Sequence, residues 1–369
     1  MRLLLLAPEI APPWTEGRKR FVIDLANALK RQQHEVTLLV SGDPTAAMPA
    51  DVDAIVLPAH GRISRLLGPG RNLPRVAARM LPDCVINFPY GTFSGLHHWP
   101  SRGYMRWIDR LCVRIGVPCL TVLYSIDQHT RPGSLAGWAR NLVTGPLPHW
   151  RGPSVPLGRD VSHWPQRLQP AGTGRSLLFL AGMWQPTRER FDHVLDVRGL
   201  RVLLRAGEKL AEQGVTLKVA APLFADAQCR QWLNAHPDNT WPEHTMSLAD
   251  TVEVPAVFHA ADVFVFPYAE DITQFTPTSV VESMLAGTPV VMSDLPFLRQ
   301  LGPTKIARRF APDDALALAD EVLKVLDTPG LAVQQSAIAK AHAHQAWDID
   351  TSAKALLAVA SELAAQQRT

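Results

Sequence analysis

Two runs of alternation dominate this chain. Apolar stretches at residues 2–7, 36–40, 54–58, 84–88 and 119–124 have the length of buried strands, and helical patterns such as 20–31 and 103–115 lie between them. Strands joined through helices pair in parallel, so this pattern predicts an α/β fold with a doubly wound parallel sheet. Residues 144–174 interrupt it with Pro146, Pro148, Pro153, Pro156, Pro165 and Pro170 among glycines, which reads as a linker. A second alternation starts at Leu177-Leu178-Phe179-Leu180-Ala181-Gly182. It continues through a helix at 199–213 and strands at 215–220, 263–266 and 290–292. The expected organisation is a first domain over 1–150, a linker over 151–174, a second domain over 175–345 and a terminal helical segment over 346–369.

Length agrees, because 369 residues are more than one ordinary domain and enough for two cores. The hydrophobic share of 47% against 19% charged residues excludes a disordered chain. No apolar run approaches the roughly 20 residues of a membrane helix, and residues 3–7 are shorter than a signal-peptide core. The cytoplasm is therefore the expected location. Cys84, Cys112, Cys119 and Cys229 lack the paired spacing of a zinc site and read as buried thiols. Asp51-Val52-Asp53 and Asp348-Ile349-Asp350 are formal Asp-x-Asp pairs in a pre-strand loop and a terminal helical region, contexts that suit surface charge. His342 and His344, two apart on a helix, point away from each other. Neither a metal nor a cofactor is expected. Gly-x-Gly-x-x-Gly is absent, which argues against a dinucleotide-dependent oxidoreductase.

The net charge of +3 hides an asymmetry: residues 1–160 hold 19 basic and 11 acidic side chains, the remainder 18 and 23. Arg62, Arg65, Arg71, Arg75 and Arg79 gather at 62–80 with Ile63, Leu66, Leu67, Leu73, Val76 and Met80 among them. Such a segment suits an anionic membrane surface, or else forms a solvated irregular face. Gly68-Pro69-Gly70 and Pro74 are expected to break any long helix there. No aromatic residue interleaves the arginines, so nucleic acid is not an expected partner.

The most specific stretch is 276–294, Thr276-Pro277-Thr278-Ser279 through Glu282 to Ala286-Gly287-Thr288-Pro289 and on to Ser293-Asp294. Pro277 pre-sets φ and Thr or Ser can cap, so a helix should open here with Glu282 one to two turns in. Gly287 should close it, and Val290-Val291-Met292 should form a buried strand. A helix start offers unpaired N–H groups and partial positive charge to an anionic diphosphate, and Glu282 offers two acceptors to a ribose diol. A glutamate in a short α/β helix is also commonly just solvated or cap-paired.

This run resembles the helix-plus-strand signature of nucleotide-sugar glycosyltransferases of the GT-B fold, group 1. The similarity extends along the chain. It includes Leu3-Leu4-Leu5-Leu6-Ala7-Pro8 with the loop 12–18 and His34-Glu35-Val36-Thr37, then Pro82-Asp83-Cys84-Val85-Ile86-Asn87 and the interdomain Val155-Pro156-Leu157-Gly158-Arg159-Asp160. Ala260-Ala261-Asp262-Val263-Phe264-Val265-Phe266-Pro267 and Ala311-Pro312-Asp313-Asp314 continue it. The resemblance implies two Rossmann-like domains facing a central cleft, with the terminal helix crossing back to the first.

It also implies roles. Where the family places an Arg after the second domain's first strand, this chain has Met183, while Arg198 stands where the family has its diphosphate-binding Lys. Arg188 and Arg190 either replace the missing Arg or sit in a solvated loop. Glu282 matches the second Glu of a Glu-seven-residues-Glu motif whose first position holds Gln274. An amide still bonds sugar hydroxyls but carries no charge. Thr276-Pro277-Thr278 is similar to a sub-branch found in polysaccharide assembly, in which backbone N–H groups around Thr278 and Ser279 serve the phosphates. Gly17, with Arg18 and Lys19 after it, occupies the loop where the family usually has a Gly pair against the diphosphate. Tyr124 takes the place of a family His. Asp127 is either the general base on the acceptor hydroxyl or the cap of the next helix, and His129 is a second base candidate.

Together these imply sugar transfer from a nucleoside diphosphate donor to a hydroxyl acceptor, a glycan or lipid-linked glycan in cell-surface polysaccharide assembly. The enzyme would work in the cytoplasm, with residues 62–80 as a possible contact to the inner membrane face. A sugar-nucleotide epimerase or hydrolase on the same fold, and a non-catalytic binding subunit suggested by Met183, Gln274 and Tyr124, are the alternatives.

Overall fold

The computed structural model describes residues 1–8, 17–42, 51–58, 62–89, 98–123, 139–145, 150–164, 167, 174–182, 186–249, 253–271 and 277–368. They fall into two compact units. Met1–Asp160 and Ala346–Thr369 form the first, Val161–Ile272 and Thr276–Gln345 the second.

In the first unit the order is β1 Arg2–Ala7, α1 Gly17–Arg31, β2 Glu35–Gly42, β3 Asp53–Pro58, α2 Arg62–Met80, β4 Cys84–Asn87, α3 His98–Arg114, β5 Cys119–Leu123 and β6 Leu142–Thr144. The second has β7 Ser176–Leu180, α4 Arg188–Asp196, α5 Leu200–Arg205, α6 Gly207–Glu212, β8 Thr216–Ala220, α7 Ala227–Asn234, β9 Met246–Ala249 and α8 Val254–His259. It continues with β10 Val263–Phe266, α9 Thr278–Ala286, β11 Val290–Ser293, α10 Pro296–Arg299, β12 Arg308–Phe310, α11 Ala315–Asp327 and α12 Pro329–Ala346. The last helix, α13 Ile349–Arg368, belongs to the first unit again.

Each unit holds one six-stranded parallel sheet, ordered β3-β2-β1-β4-β5-β6 and β12-β11-β10-β7-β8-β9. In both, the chain runs outward one way from its first strand and then returns to build the other side. The strand order therefore reverses between β1 and β4 and again between β7 and β10, and at such a switch point the carboxyl ends of two strands leave a crevice. The central strands β1, β4, β10 and β11 are buried on both faces, as parallel strands flanked by helices must be.

One face of the first sheet is covered by α1 and α13. Phe21, Val22, Leu25 and Leu29 share a core with Ile349, Ala353, Leu356 and Ala360. The returning chain is pinned at Arg159, whose N–H donates to the Trp347 carbonyl at 2.8 Å and whose carbonyl accepts from Ile349 N at 2.9 Å. Arg31 adds ion pairs to Asp160 at 2.9 Å and Asp350 at 3.0 Å. Residues 151–160, part of the proline-rich stretch, thus pack into the first unit, with Val155 N donating to the Thr144 carbonyl at 2.8 Å.

The opposite face is covered by α2 and α3, and here an expectation fails. Residues 62–80 form one helix although Pro69 and Pro74 lie inside it. Packing offsets much of the cost of the breakers. Leu73 and Val76 are buried against β1 and β2, each contributing on the order of 1.5–3 kcal/mol, comparable with the roughly 3 kcal/mol cost of one internal proline. Asn72 Nδ2 also donates to the Gly68 carbonyl at 2.9 Å. Gly70 is needed for the approach to α3, since a Cβ there would lie 2.4 Å from Trp107.

Candidate functional site

The carboxyl edge of the second sheet gathers the described candidates. After β10 the chain turns through Pro267 and Tyr268, and α9 begins after Pro277, so its N-terminus lies at the edge where β10 ends. Pro277, at φ −67°, is the residue before the helix and no side chain caps it. This differs from a Thr or Ser cap. Val280 N bonds the Pro277 carbonyl at 3.0 Å, while the N–H groups of Thr278 and Ser279 find no acceptor among the described residues. They are the donors an anion at this helix start would use. Glu282 is 7% exposed in a helix buried from Val280 to Ala286. Gly287 ends α9 at φ +74°, with Thr288 N bonding the Ser283 carbonyl at 3.0 Å, and the chain enters β11 as the sequence predicts.

Arg198 reaches the same edge from the other strand of the switch point. Behind β7, α4 leads through Val197 and Arg198 to Gly199, where α5 starts. Gly199 is left-handed at φ +74°, and a Cβ there would sit 1.6 Å from the Pro267 carbonyl oxygen. Only glycine fits. A second tie, Ala269 N to the Val197 carbonyl at 3.1 Å, fastens this turn to the strand end. The Arg198 guanidinium lies over the Tyr268 ring at 5.6 Å, and its buried Nε has no hydrogen-bond partner among the described residues. Tyr268 stacks on Phe266 at 4.1 Å, and burial raises its phenol pKa against the pull of Arg198. The arginine is thus held on an aromatic shelf.

His193 reports the field at this edge. Its pKa is lowered to about 4 by burial, then by the charges of Arg198 and Arg190. Arg190 therefore shares a positive neighbourhood with Arg198. Arg188 is engaged elsewhere: its Nε bonds Asp192 at 2.9 and 3.1 Å and its guanidinium stacks over Trp232 at 5.1 Å. Tyr268 and His193 were not singled out from sequence. The signals available were an aromatic residue two positions beyond a buried strand and a histidine five residues before Arg198.

In the first unit, Gly17 opens α1 after β1, with Lys19 half-buried in the first turn. Arg18 is in the helix, but its side chain lies outside the described residues, as do Tyr124, Asp127, His129, Met183, Gln274 and Thr276. The next cation, Arg20, is paired with Asp24 at 2.8 Å. Among the described residues no group of three His, Cys, Asp or Glu side chains is arranged to hold a metal, and no helix is long and apolar enough to cross a membrane.

A family model described as glycosyl transferases group 1 matches residues 189–328, a span from the start of α4 to the residue after α11. Residues 189–328 of unit 2 are thus similar to a group 1 glycosyltransferase domain, on a chain of GT-B fold. The fold assignment rests on solved structures similar over nearly the whole chain. A sucrose-phosphate synthase from Thermosynechococcus elongatus superposes with a TM-score of 0.73 at 15% identity, covering 99% of this chain and 100% of that one. Anabaena HepE in complex with UDP and glucose gives 0.69 at 15%, covering 98% and 100%. A glycosyltransferase from Rickettsia africae gives 0.68 at 13%, covering 98% of each chain. No curated protein matches in sequence. Arg198, Arg190, Glu282 and the start of α9 all fall inside the matched span.

Proposed function

We propose that this GT-B chain transfers a sugar from a nucleoside diphosphate to a hydroxyl acceptor. The observation that carries the reading is the β7/β10 switch point. There a guanidinium whose buried Nε has no partner among the described residues, a second arginine in the same field and a helix start without a side-chain cap share one sheet edge, which is the charge pattern a diphosphate leaving group needs. HepE, a structural neighbour, was solved with UDP, with UDP and glucose, and with UDP-glucose, which supports a nucleotide sugar as the partner here. In this reading Arg198 and Arg190 neutralise the diphosphate with the N–H groups of Thr278 and Ser279. Glu282 takes the ribose, Gln274 and Thr276 contact the donor, and Gly17, Arg18 and Lys19 contribute from the first unit. Asp127 takes the acceptor proton, with His129 as the second base candidate and Tyr124 near the reacting sugar in the place of the family's His, and no metal takes part. The acceptor is a glycan or lipid-linked glycan of cell-surface polysaccharide assembly, met in the cytoplasm at an anionic membrane surface touched by residues 62–80.

The test is a thermal-shift panel of UDP-, GDP-, ADP- and dTDP-sugars, followed by transfer assays with the stabilising donor, with and without EDTA. One donor should stabilise the chain and be consumed only when acceptor is present, at the same rate in EDTA. Consumption without acceptor indicates an epimerase or hydrolase. Binding without turnover indicates a binding subunit.

A further inference from the structure

The basic surplus of the first 160 residues has a location. Helices α2 and α3 together hold nine arginines and one aspartate, a surplus of eight, and the remaining residues of that span hold ten basic and ten acidic side chains. The whole surplus therefore rides on two neighbouring helices that cover one face of one sheet. Both pack on that sheet through a shared core containing Leu73, Val76, Tyr104, Ile108 and Cys112. Their outward sides are consequently on one surface.

On that surface the spacing is regular. Arg71, Arg75 and Arg79 are exposed at i, i+4 and i+8 on α2, and Arg106, Arg110 and Arg114 are exposed at the same spacing on α3. Each stripe spans about 12 Å, at 1.5 Å rise per residue. Arg75 bonds only to Asn72, at 2.8 Å, and no acidic partner among the described residues neutralises Arg71, Arg75, Arg79, Arg110 or Arg114. The one carboxylate, Asp109, is buried and accepts from Arg140 N at 2.7 Å. Leu81 and Val113, 61% and 49% exposed, stand at the C-terminal ends of the two helices.

We infer that the α2–α3 face is a docking surface for an anionic lipid bilayer. The inference rests on the membrane element of the reading above and extends it from one segment to a two-helix face on which α3 carries half of the exposed stripes. Charge complementarity selects the occupant. Six exposed guanidiniums in two rows, five of them with no acidic partner among the described residues, form a broad cationic face that suits a plane of phosphates. Leu81 and Val113 add apolar contact at one end. A continuous α2 matters, because a helix broken at Gly68–Gly70 would not hold Arg71, Arg75 and Arg79 in register with α3.

The experiment is flotation of the full chain with phosphatidylglycerol vesicles and with neutral phosphatidylcholine vesicles, across a salt series. Wild type should bind the anionic vesicles, lose them as salt rises and ignore the neutral ones. The triple variant Arg106→Gln, Arg110→Gln, Arg114→Gln should bind about 100-fold more weakly, at roughly five-fold per guanidinium, and Arg71→Gln, Arg75→Gln, Arg79→Gln should do the same. Thermal melts of both should match wild type. UDP binding measured on the same samples tests the transfer reading separately and should be unchanged. Wild-type binding by the α3 variant, absence of vesicle binding, or tighter binding to duplex RNA than to anionic vesicles would each overturn the inference.

Discussion

The two units share a topology yet place their unneutralised positive charge differently. In the first, cations are paired with acids: Arg20 with the buried Asp24, and Arg31 with the buried Asp160 and the partly exposed Asp350, with Arg159 buried beside them. Asp24 shows the cost, its pKa raised by burial and drawn back down by Arg20 and Arg159. The surplus sits outside, on α2 and α3. In the second unit, Arg198 and Arg190 hold their charge at the carboxyl edge of the sheet, where they add to burial, the larger cause, in keeping His193 neutral well below its ordinary range. One architecture thus supports a surface field and a site field, and strand order alone does not say which a unit will have.

The sharpest way to break this contrast is Gly199→Ala. The added carbon meets the Pro267 carbonyl and the residue is left-handed, so a destabilisation on the order of 3 kcal/mol is expected in denaturant melts. Arg198→Ala should leave the melt near wild type and weaken nucleoside diphosphate binding about 30- to 100-fold by calorimetry, the size of a lost charge-assisted contact. Glu282→Gln should weaken donor binding about tenfold, with nucleoside binding affected and inorganic diphosphate binding not. Tyr268→Leu should cost about three- to five-fold in the same titration, and Tyr268→Phe should restore it, because the ring face and not the hydroxyl holds Arg198.

The smallest effect concerns pH. The folded pKa of His193, about 4, lies below the ordinary 6.5, so between these values the unfolded chain takes a proton that the folded chain refuses. Stability should therefore fall as pH drops from about 6.5 towards 4, and His193→Gln should flatten that slope in melts recorded across the range.

Much of the fold was legible because apolar runs of four to six residues recur between helical patterns. What escaped was short or contextual. β6 and β12 have three residues each and β9 four, all at sheet edges, too brief for a period to show. The continuity of α2 is a tertiary effect, decided by Leu73, Val76 and the fit of Gly70 against Trp107. At the candidate site, α9 was marked by Pro277 and Gly287, whose backbone preferences are local. Tyr268 and His193 were not, because their roles depend on Arg198 lying against them, a contact that spans seventy residues in the case of Tyr268. Asp127, the proposed base, follows the end of β5 in the sequence and lies outside the described residues.

The central claim is that a nucleoside diphosphate sits at the β7/β10 edge of the second unit. Proton–carbon NMR of the histidine rings, titrated from pH 3.5 to 8 with and without saturating UDP or whichever nucleoside diphosphate stabilises the chain, tests it directly. A bound diphosphate beside Arg190 and Arg198 would offset their charge, so the His193 midpoint should rise measurably from about 4, with burial still holding it below its ordinary value. A nucleotide that binds while the His193 midpoint stays in place would contradict the account.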